Sequence, residues 1–392
     1  MPDSPISYPG VYVDEIPFAG RTIQGVATST TAFVGGSVRG PTDRPRLVTS
    51  FTDFERRFGG LSATFPMGHS VRLFFENGGR RALICRVRGA RRGARPTNAE
   101  IVERGLPLLD RATEIVNLVA IPPLGQGIDV GRETWTAAVA WAKRNRAMLI
   151  VDPPGSWSSA ASVAAGEVDA LISQSDDLTN AALYVPWLLA PDPLAGNRTA
   201  AFAPSGAICG IYARIDLNRG VWKAPAGPDG GVQGVTGLAV DLTAADSEAL
   251  NPRGINTIRS FPGRGAVVWG ARTLRGGDAD ASDWKYVPVR RVFLFIEESI
   301  DRGTTWAVFE PNDEPLWVEL TRHIGSFLST LFAQGAFPAN RPQEAFFVRC
   351  DRTTTTQDDI DNGRVIVLIG VAPVKPAEFV ILRIGISARR PT

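Results

Sequence analysis

The strongest strand pattern in the chain lies at its end. From residue 378 the sequence reads Glu-Phe-Val-Ile-Leu-Arg-Ile-Gly-Ile-Ser. Val380, Leu382, Ile384 and Ile386 alternate onto one side, while the other side fades from Phe379 and Ile381 to Arg383, Gly385 and Ser387. Period-two alternation with β-branched residues predicts a strand. A strand this apolar beside a terminus needs a partner sheet, because unpaired N–H and C=O groups otherwise invite association. A smaller counterpart, Val11-Tyr12-Val13, follows a proline-containing lead at the other end. The two extended ends predict a subunit that donates strands to its neighbours.

Between the ends the period keeps changing. Residues 28–37 and 47–50 predict short strands. Ser50 or Thr52 then caps a helix through Phe54 and Phe58, which Gly59-Gly60 stops. A helix over 68–76, with Val71, Phe74 and Phe75 inward, and a strand over 81–87 complete a stretch of α+β character. From about 98 to 240 strand patterns at 114–121, 148–151 and 181–189 end in proline-containing turns. They alternate with helical patterns at 133–145, 159–173 and 205–214. Near-continuous apolar strands alternating with helices predict a parallel sheet covered on both faces. Glycine- and proline-rich sequence at 224–237 reads as a boundary or exposed loop. Beyond it the pattern predicts helices at 241–250, 288–300 and 315–332, and strands at 265–269, 306–309, 345–349 and 364–370. The 315–332 helix places Trp317, Leu320, Ile324, Phe327, Leu328 and Leu331 on one stripe. Glu319, Arg322, Ser326 and Ser329 lie opposite.

Composition narrows the function classes. The 392 residues are 44% hydrophobic and 21% charged, with 42 Lys and Arg against 40 Asp and Glu. A formal charge of +2 gives no reason to expect nucleic acid or an acidic membrane as partner. The local basic run from Arg88 to Arg95 is glycine- and alanine-rich and reads as a solvated loop, with a phosphate or acidic-partner contact as the other reading. The three cysteines, Cys85, Cys209 and Cys350, are widely spaced in apolar contexts and indicate neither a disulfide framework nor a zinc site. The start of the chain carries no basic region followed by an apolar core, and no apolar run reaches bilayer length, so a soluble protein assembled in the cytoplasm is expected.

An enzyme reading rests on the strand ends of the middle segment, where open parallel sheets bind ligands. Asp152 and Asp192 fall at two such ends, with Ser156, Ser205 and Cys209 nearby in sequence. A serine or cysteine nucleophile needs an imidazole base, and the two histidines, His69 and His323, fall outside 98–240. Asp-Pro after a strand is also ordinary turn chemistry. No phosphate loop or dinucleotide fingerprint occurs, and Asp176-Asp177, Glu297-Glu298 and Asp358-Asp359 read as solvated pairs. No catalytic residue, cofactor or metal is expected. An α/β hydrolase or nucleotide-binding enzyme using the middle strand ends stays as the alternative.

Several longer motifs resemble one family. Near the start stand Tyr8-Pro9-Gly10-Val11-Tyr12-Val13-Asp14-Glu15, then Val34-Gly35-Gly36 and Gly40-Pro41. Gly220-Val221-Trp222-Lys223-Ala224-Pro225-Ala226-Gly227 follows in the middle. Gly254-Ile255-Asn256-Thr257-Ile258-Arg259, the run from Gly265 to Leu274, Trp306-Ala307-Val308-Phe309-Glu310-Pro311 and Ala372-Pro373-Val374-Lys375-Pro376 follow in order. Together they resemble the sheath proteins of contractile phage tails, tailocins and extracellular contractile injection systems. The resemblance implies an α+β inner domain built from residues 23–97 and 241–377, an α/β parallel-sheet outer domain inserted at 98–240, and extended arms at 1–22 and 378–392. It implies a structural, non-enzymatic subunit that stacks as six-fold rings in a helical sleeve around an inner tube and contracts to drive the tube through a target envelope. The arms, with Val11, Tyr12, Val13, Val380, Leu382, Ile384 and Ile386, would link subunits by strand exchange. The partners implied are other copies of itself, the inner tube, and baseplate and terminator or cap proteins, with no nucleic acid and no membrane insertion. Glu319, Arg322 and Ser326 are the candidate tube-facing positions. The particle would assemble in a bacterial cell and leave by lysis.

Overall fold

The computed structural model describes residues 22–91, 93–280 and 282–373, and the backbone of a strand at 380–387. An eight-stranded sheet organises the first two thirds. Its strands are β1 (Thr31–Gly35), β2 (Arg46–Val48), β3 (Ala82–Arg86), β4 (Leu118–Ala120), β5 (Met148–Val151), β6 (Ala181–Val185), β10 (Ile255–Phe261) and β11 (Gly265–Val268). The order is β11-β10-β6-β5-β4-β1-β3-β2. The six inner strands are parallel, and β2 and β11 add antiparallel edges. Both faces are covered, which is why the strands read as continuous apolar runs. Ala32, Leu83, Leu149 and Leu183 point to one core; Phe33, Ile84, Ile150 and Tyr184 point to the other.

Helices α1 (Phe51–Phe58), α2 (Met67–Glu76) and α4 (Ser205–Arg219) pack on the second face. Helix α3 (Arg132–Arg144) packs on the first through Trp135, Val139 and Ala142. Ser50 caps α1 by accepting from the Asp53 amide, and Gly59 closes it at φ 92°. Helices α2 and α4 approach so closely that a Cβ on Gly206 would lie 2.1 Å from the Ser70 carbonyl oxygen. A small antiparallel sheet of β7 (Leu188–Asp192), β8 (Arg198–Phe202) and β9 (Gly237–Leu238) lies in the order β8-β7-β9.

The last third forms a second unit. Helices α5 (Val287–Gly303) and α6 (Glu314–Ala333) pack with the sheet of β12 (Phe346–Arg349), β13 (Arg364–Val371) and β14 (Val380–Ser387). Val292, Phe293 and Ile296 of α5 and Leu320, Ile324 and Leu328 of α6 meet Val367, Ile369 and Val371 of β13 in one core, which Ile23 also joins. A buried ion pair lies at the junction between the units. Arg291 of α5 makes a two-pronged pair with Asp216 of α4 at 2.6 and 2.8 Å, with both side chains under 5% exposed. Its guanidinium also donates to the Thr28 carbonyl at 2.9 Å and lies over Tyr212. Beside it, Arg290 donates to Asn180, and Arg146 bridges to Glu298 and Asp301.

Several expectations need correction. The sheet crosses both expected domain boundaries: β1 pairs with β4, and β6 with β10, so 23–97, 98–240 and 255–268 share one layer and 98–240 is not a separate inserted domain. The expected strand at 181–189 is two strands in different sheets, because Pro186 has no N–H to continue the ladder. The expected helix at 159–173 is two short ones, Ala160–Ala164 and Val168–Leu171, parted at Gly166, where the Trp157 ring fills the place of a side chain. The expected strand at 306–309 is a 3-10 turn, Thr305–Ala307, followed by Phe309 at φ 85° and 82% exposed.

Candidate functional site

Two regions carry the residues singled out from the sequence. The first is the C-terminal sheet. β14 pairs antiparallel with β13 of the same chain along eight positions, from Arg364 opposite Ser387 to Val371 opposite Val380. Val380, Leu382, Ile384 and Ile386 lie opposite Val371, Ile369, Val367 and Val365 in that register. Inward side chains of β13 are buried at Val365, Val367, Ile369 and Val371, while Arg364 reaches Asp358 and Asp359 at 2.9 Å. The other arm, with Val11, Tyr12 and Val13, lies outside the described residues.

Helix α6 stands behind this sheet. Asp313 caps it by accepting from the Leu316 amide at 3.2 Å. Asn312 ties the helix to β13: its carbonyl accepts from the Trp317 indole at 2.9 Å, and its amide donates to the Arg364 carbonyl at 3.0 Å. Arg322 and Ser326 are exposed and Glu319 is half-buried, all away from the buried stripe. Val318 shares that surface at 66% exposure. His323, at the edge of the stripe, is buried edge-on against Trp306.

The strand ends of the large sheet form the second region. Asp152 is 4% exposed at the end of β5. Its carboxylate accepts from the Ser205 amide and hydroxyl, each at 2.7 Å, and so caps α4. Burial pushes its pKa up to about 7, against the lowering effect of the two Ser205 hydrogen bonds, with Asp129 raising it further. Asp192 accepts from the Leu194 amide at 2.9 Å and caps a turn. Ser156 is exposed on the loop after β5. Cys209 is buried in α4, its thiol held far above its ordinary range by that burial. Asp152 and Asp192 therefore serve as caps and Cys209 as core. His69 is a different matter. In sequence it lies outside the middle segment, yet α2 carries it to these same strand ends, where Asp192 is among the charges acting on it. Only the order of strands reveals that, and no local signal in the sequence encodes it.

Comparison with known proteins bears on the whole of this architecture. Residues 117–274 match the phage tail sheath protein central domain, and residues 279–387 match the phage tail sheath C-terminal domain. The contracted helical sheath of the anti-feeding prophage is 31% identical, with 97% of this chain and 99% of that one aligned at a TM-score of 0.72. The chain belongs to the phage tail sheath family. The contracted PVC sheath, from an extracellular contractile injection system, is 29% identical over 97% of this sheath-family chain and 98% of its own, also at a TM-score of 0.72. A tail sheath protein of Vibrio phage KVP40 is 32% identical over 179 residues, 45% of this chain and 25% of that protein. The sheath-family chain thus spans about a quarter of that relative, and 32% of a tail sheath protein from Burkholderia phage BcepMu. Between the two domain matches lie residues 275–278, after the last strand of the large sheet and before α5. Strands β1 to β3 precede the first match although they share its sheet.

Proposed function

We propose that the chain is the structural subunit of a contractile sheath, stacking as six-fold rings in a helical sleeve around an inner tube and contracting to drive that tube through a target envelope. The observation that carries this reading is end-to-end agreement with contracted sheaths of injection systems at about 30% identity. Baseplate, tube and terminator or cap proteins are its partners, and the chain itself performs no chemistry. Assembly takes place in the cytoplasm of a bacterial cell.

Subunits are linked by exchange of the terminal arms. The β13 register supports this: the strand offers eight paired positions to a segment that follows it after only eight residues, 372–379. In the sleeve the same eight positions receive 380–387 of a neighbouring copy, and the N-terminal arm with Val11, Tyr12 and Val13 adds a further strand. Exchange of an identical element conserves every main-chain bond and needs no new recognition surface. At about 0.5–1.5 kcal/mol net per hydrogen bond, with buried side chains adding more, such a link outlasts a large rearrangement of the surrounding contacts. The outer face of α6, with Glu319, Arg322 and Ser326, faces the tube.

Removal of residues 378–392 tests the exchange. The truncated chain is expected to stay folded and to form no sleeves in negative-stain images, alone or with its tube protein. Long sleeves of normal width from the truncated chain would refute it.

A further inference from the structure

The order of strands creates a crevice that a sheath subunit does not need. Strand β1 leads through β2 and α1 to α2 on one face of the large sheet, whereas its neighbour β4 leads into α3 on the other. At such a switch point the connections diverge and leave a hollow beyond the strand ends, where doubly wound sheets take their ligands. Here the hollow is a cavity of about 170 Å³, lined by the first turns of α2, the loop after β4 and the β7–β8 hairpin. A cavity of about 150 Å³ accepts benzene, so the space suits a small organic molecule.

Its lining has a definite chemical character. His69 is 6% exposed, and its Nδ1 has no hydrogen-bond partner among the described residues. Burial holds this imidazole below its ordinary pKa, with Asp192 pulling it back up and Arg72 pressing it down. The neutral ring offers a lone pair at Nδ1 when its proton sits on Nε2. Asp192 uses Oδ1 on the Leu194 amide, which leaves Oδ2 without a donor among the described residues. Two aromatic rings complete the wall. Phe202 stacks on His69 with centroids 4.6 Å apart, and Trp187 lines the cavity while its indole N–H donates to the Pro153 carbonyl. Two cations stand behind the wall without lining it: Arg95 packs against Gly125, and Arg72 lies over the Phe202 ring, donates to the Pro191 carbonyl at 3.1 Å and lies 3.7 Å from Glu76. The wall therefore presents a carboxylate, a lone-pair acceptor and aromatic faces, and each of these favours a cation that donates hydrogen bonds.

We propose that the crevice at His69 and Asp192 binds a primary alkylammonium group, carried by a free diamine or by a lysine side chain. The uncapped first turn of α2 would by itself attract an anion, but Asp192 opposes one. This inference stands apart from the sleeve reading, and either can fail alone.

Titration calorimetry of the full chain at alkaline pH tests it, with putrescine and Nα-acetyl-lysine methylamide as probes and inorganic phosphate as the opposite charge. Saturable one-to-one binding of an amine is expected. Asp192→Asn keeps the cap on Leu194 and removes the charge, so it should weaken binding about tenfold to a hundredfold. His69→Phe keeps the stacked ring and removes the lone pair, and should act in the same direction. The tighter of the two amine probes identifies the source. Melting curves check that each variant is folded, and Asp192→Asn decides alone if His69→Phe is not. Absence of amine binding up to about 10 mM, a weak limit for any specific site, overturns the proposal. So does amine binding that survives Asp192→Asn, or phosphate binding in its place.

Discussion

Replacing Asp152 by asparagine separates a structural role from a catalytic one. In the folded chain the carboxyl titrates at about 7, against an ordinary value of 3.8, because burial penalises its charge. About three pKa units at about 1.4 kcal/mol each amount to about 4 kcal/mol. Between these two values the unfolded chain has released the proton while the folded chain holds it. Rising pH therefore favours unfolding, and stability present below about pH 4 is lost as the pH climbs to about 7. Asparagine keeps an acceptor for the Ser205 amide and adds a donor for its hydroxyl, but cannot ionise. Urea unfolding of both chains from about pH 4 to pH 8 should show the wild type losing up to about 4 kcal/mol relative to the variant. Both should assemble normally. A stability difference that moves by less than about 1 kcal/mol across that range would refute the reasoning, since the carboxyl would then feel no burial penalty in the folded chain. Loss of a hydrolytic activity in the variant would revive the enzyme reading.

Other perturbations address the frame. Arg291→Met should cost about 3–5 kcal/mol by stranding the Asp216 carboxylate, and Arg291→Met with Asp216→Leu should recover most of it; thermal unfolding of the two variants makes the comparison. Gly206→Ala should lower stability by about 1–3 kcal/mol or more, because the added carbon meets the Ser70 backbone carbonyl and forces α2 away from α4. A melting temperature unchanged by that methyl group would mean that the two helices are not in close contact.

Local patterns were legible where one segment decides its own structure. Ser50 and Gly59 bracket α1 as their chemistry requires, and the Trp317-to-Leu331 stripe marks the buried side of α6. Residues 148–151 form β5 as their apolar run implies. The misreadings arise where a distant partner decides. Trp306 to Phe309 has strand composition but sits in the short link between two helices, pairs with no strand among the described residues, and turns instead. Residues 255–261 read only as a motif, because their role as β10 depends on β6, about seventy positions earlier. The same non-locality hid the crevice. His69 on α2 and Asp192 at the end of β7 lie about 120 positions apart and line one cavity only in the folded chain.

The Arg291 junction has a mechanical consequence. One guanidinium grips α4, the strand-bound segment at Thr28 and the face of Tyr212 at once, out of reach of solvent. Prising the halves apart would leave a bare carboxylate in the interior, so the hinge that a two-part shape suggests is welded shut. Load applied to the large sheet is then passed through α4 to α5 by that ion pair. A machine assembled from such parts must find its travel in the seams between copies.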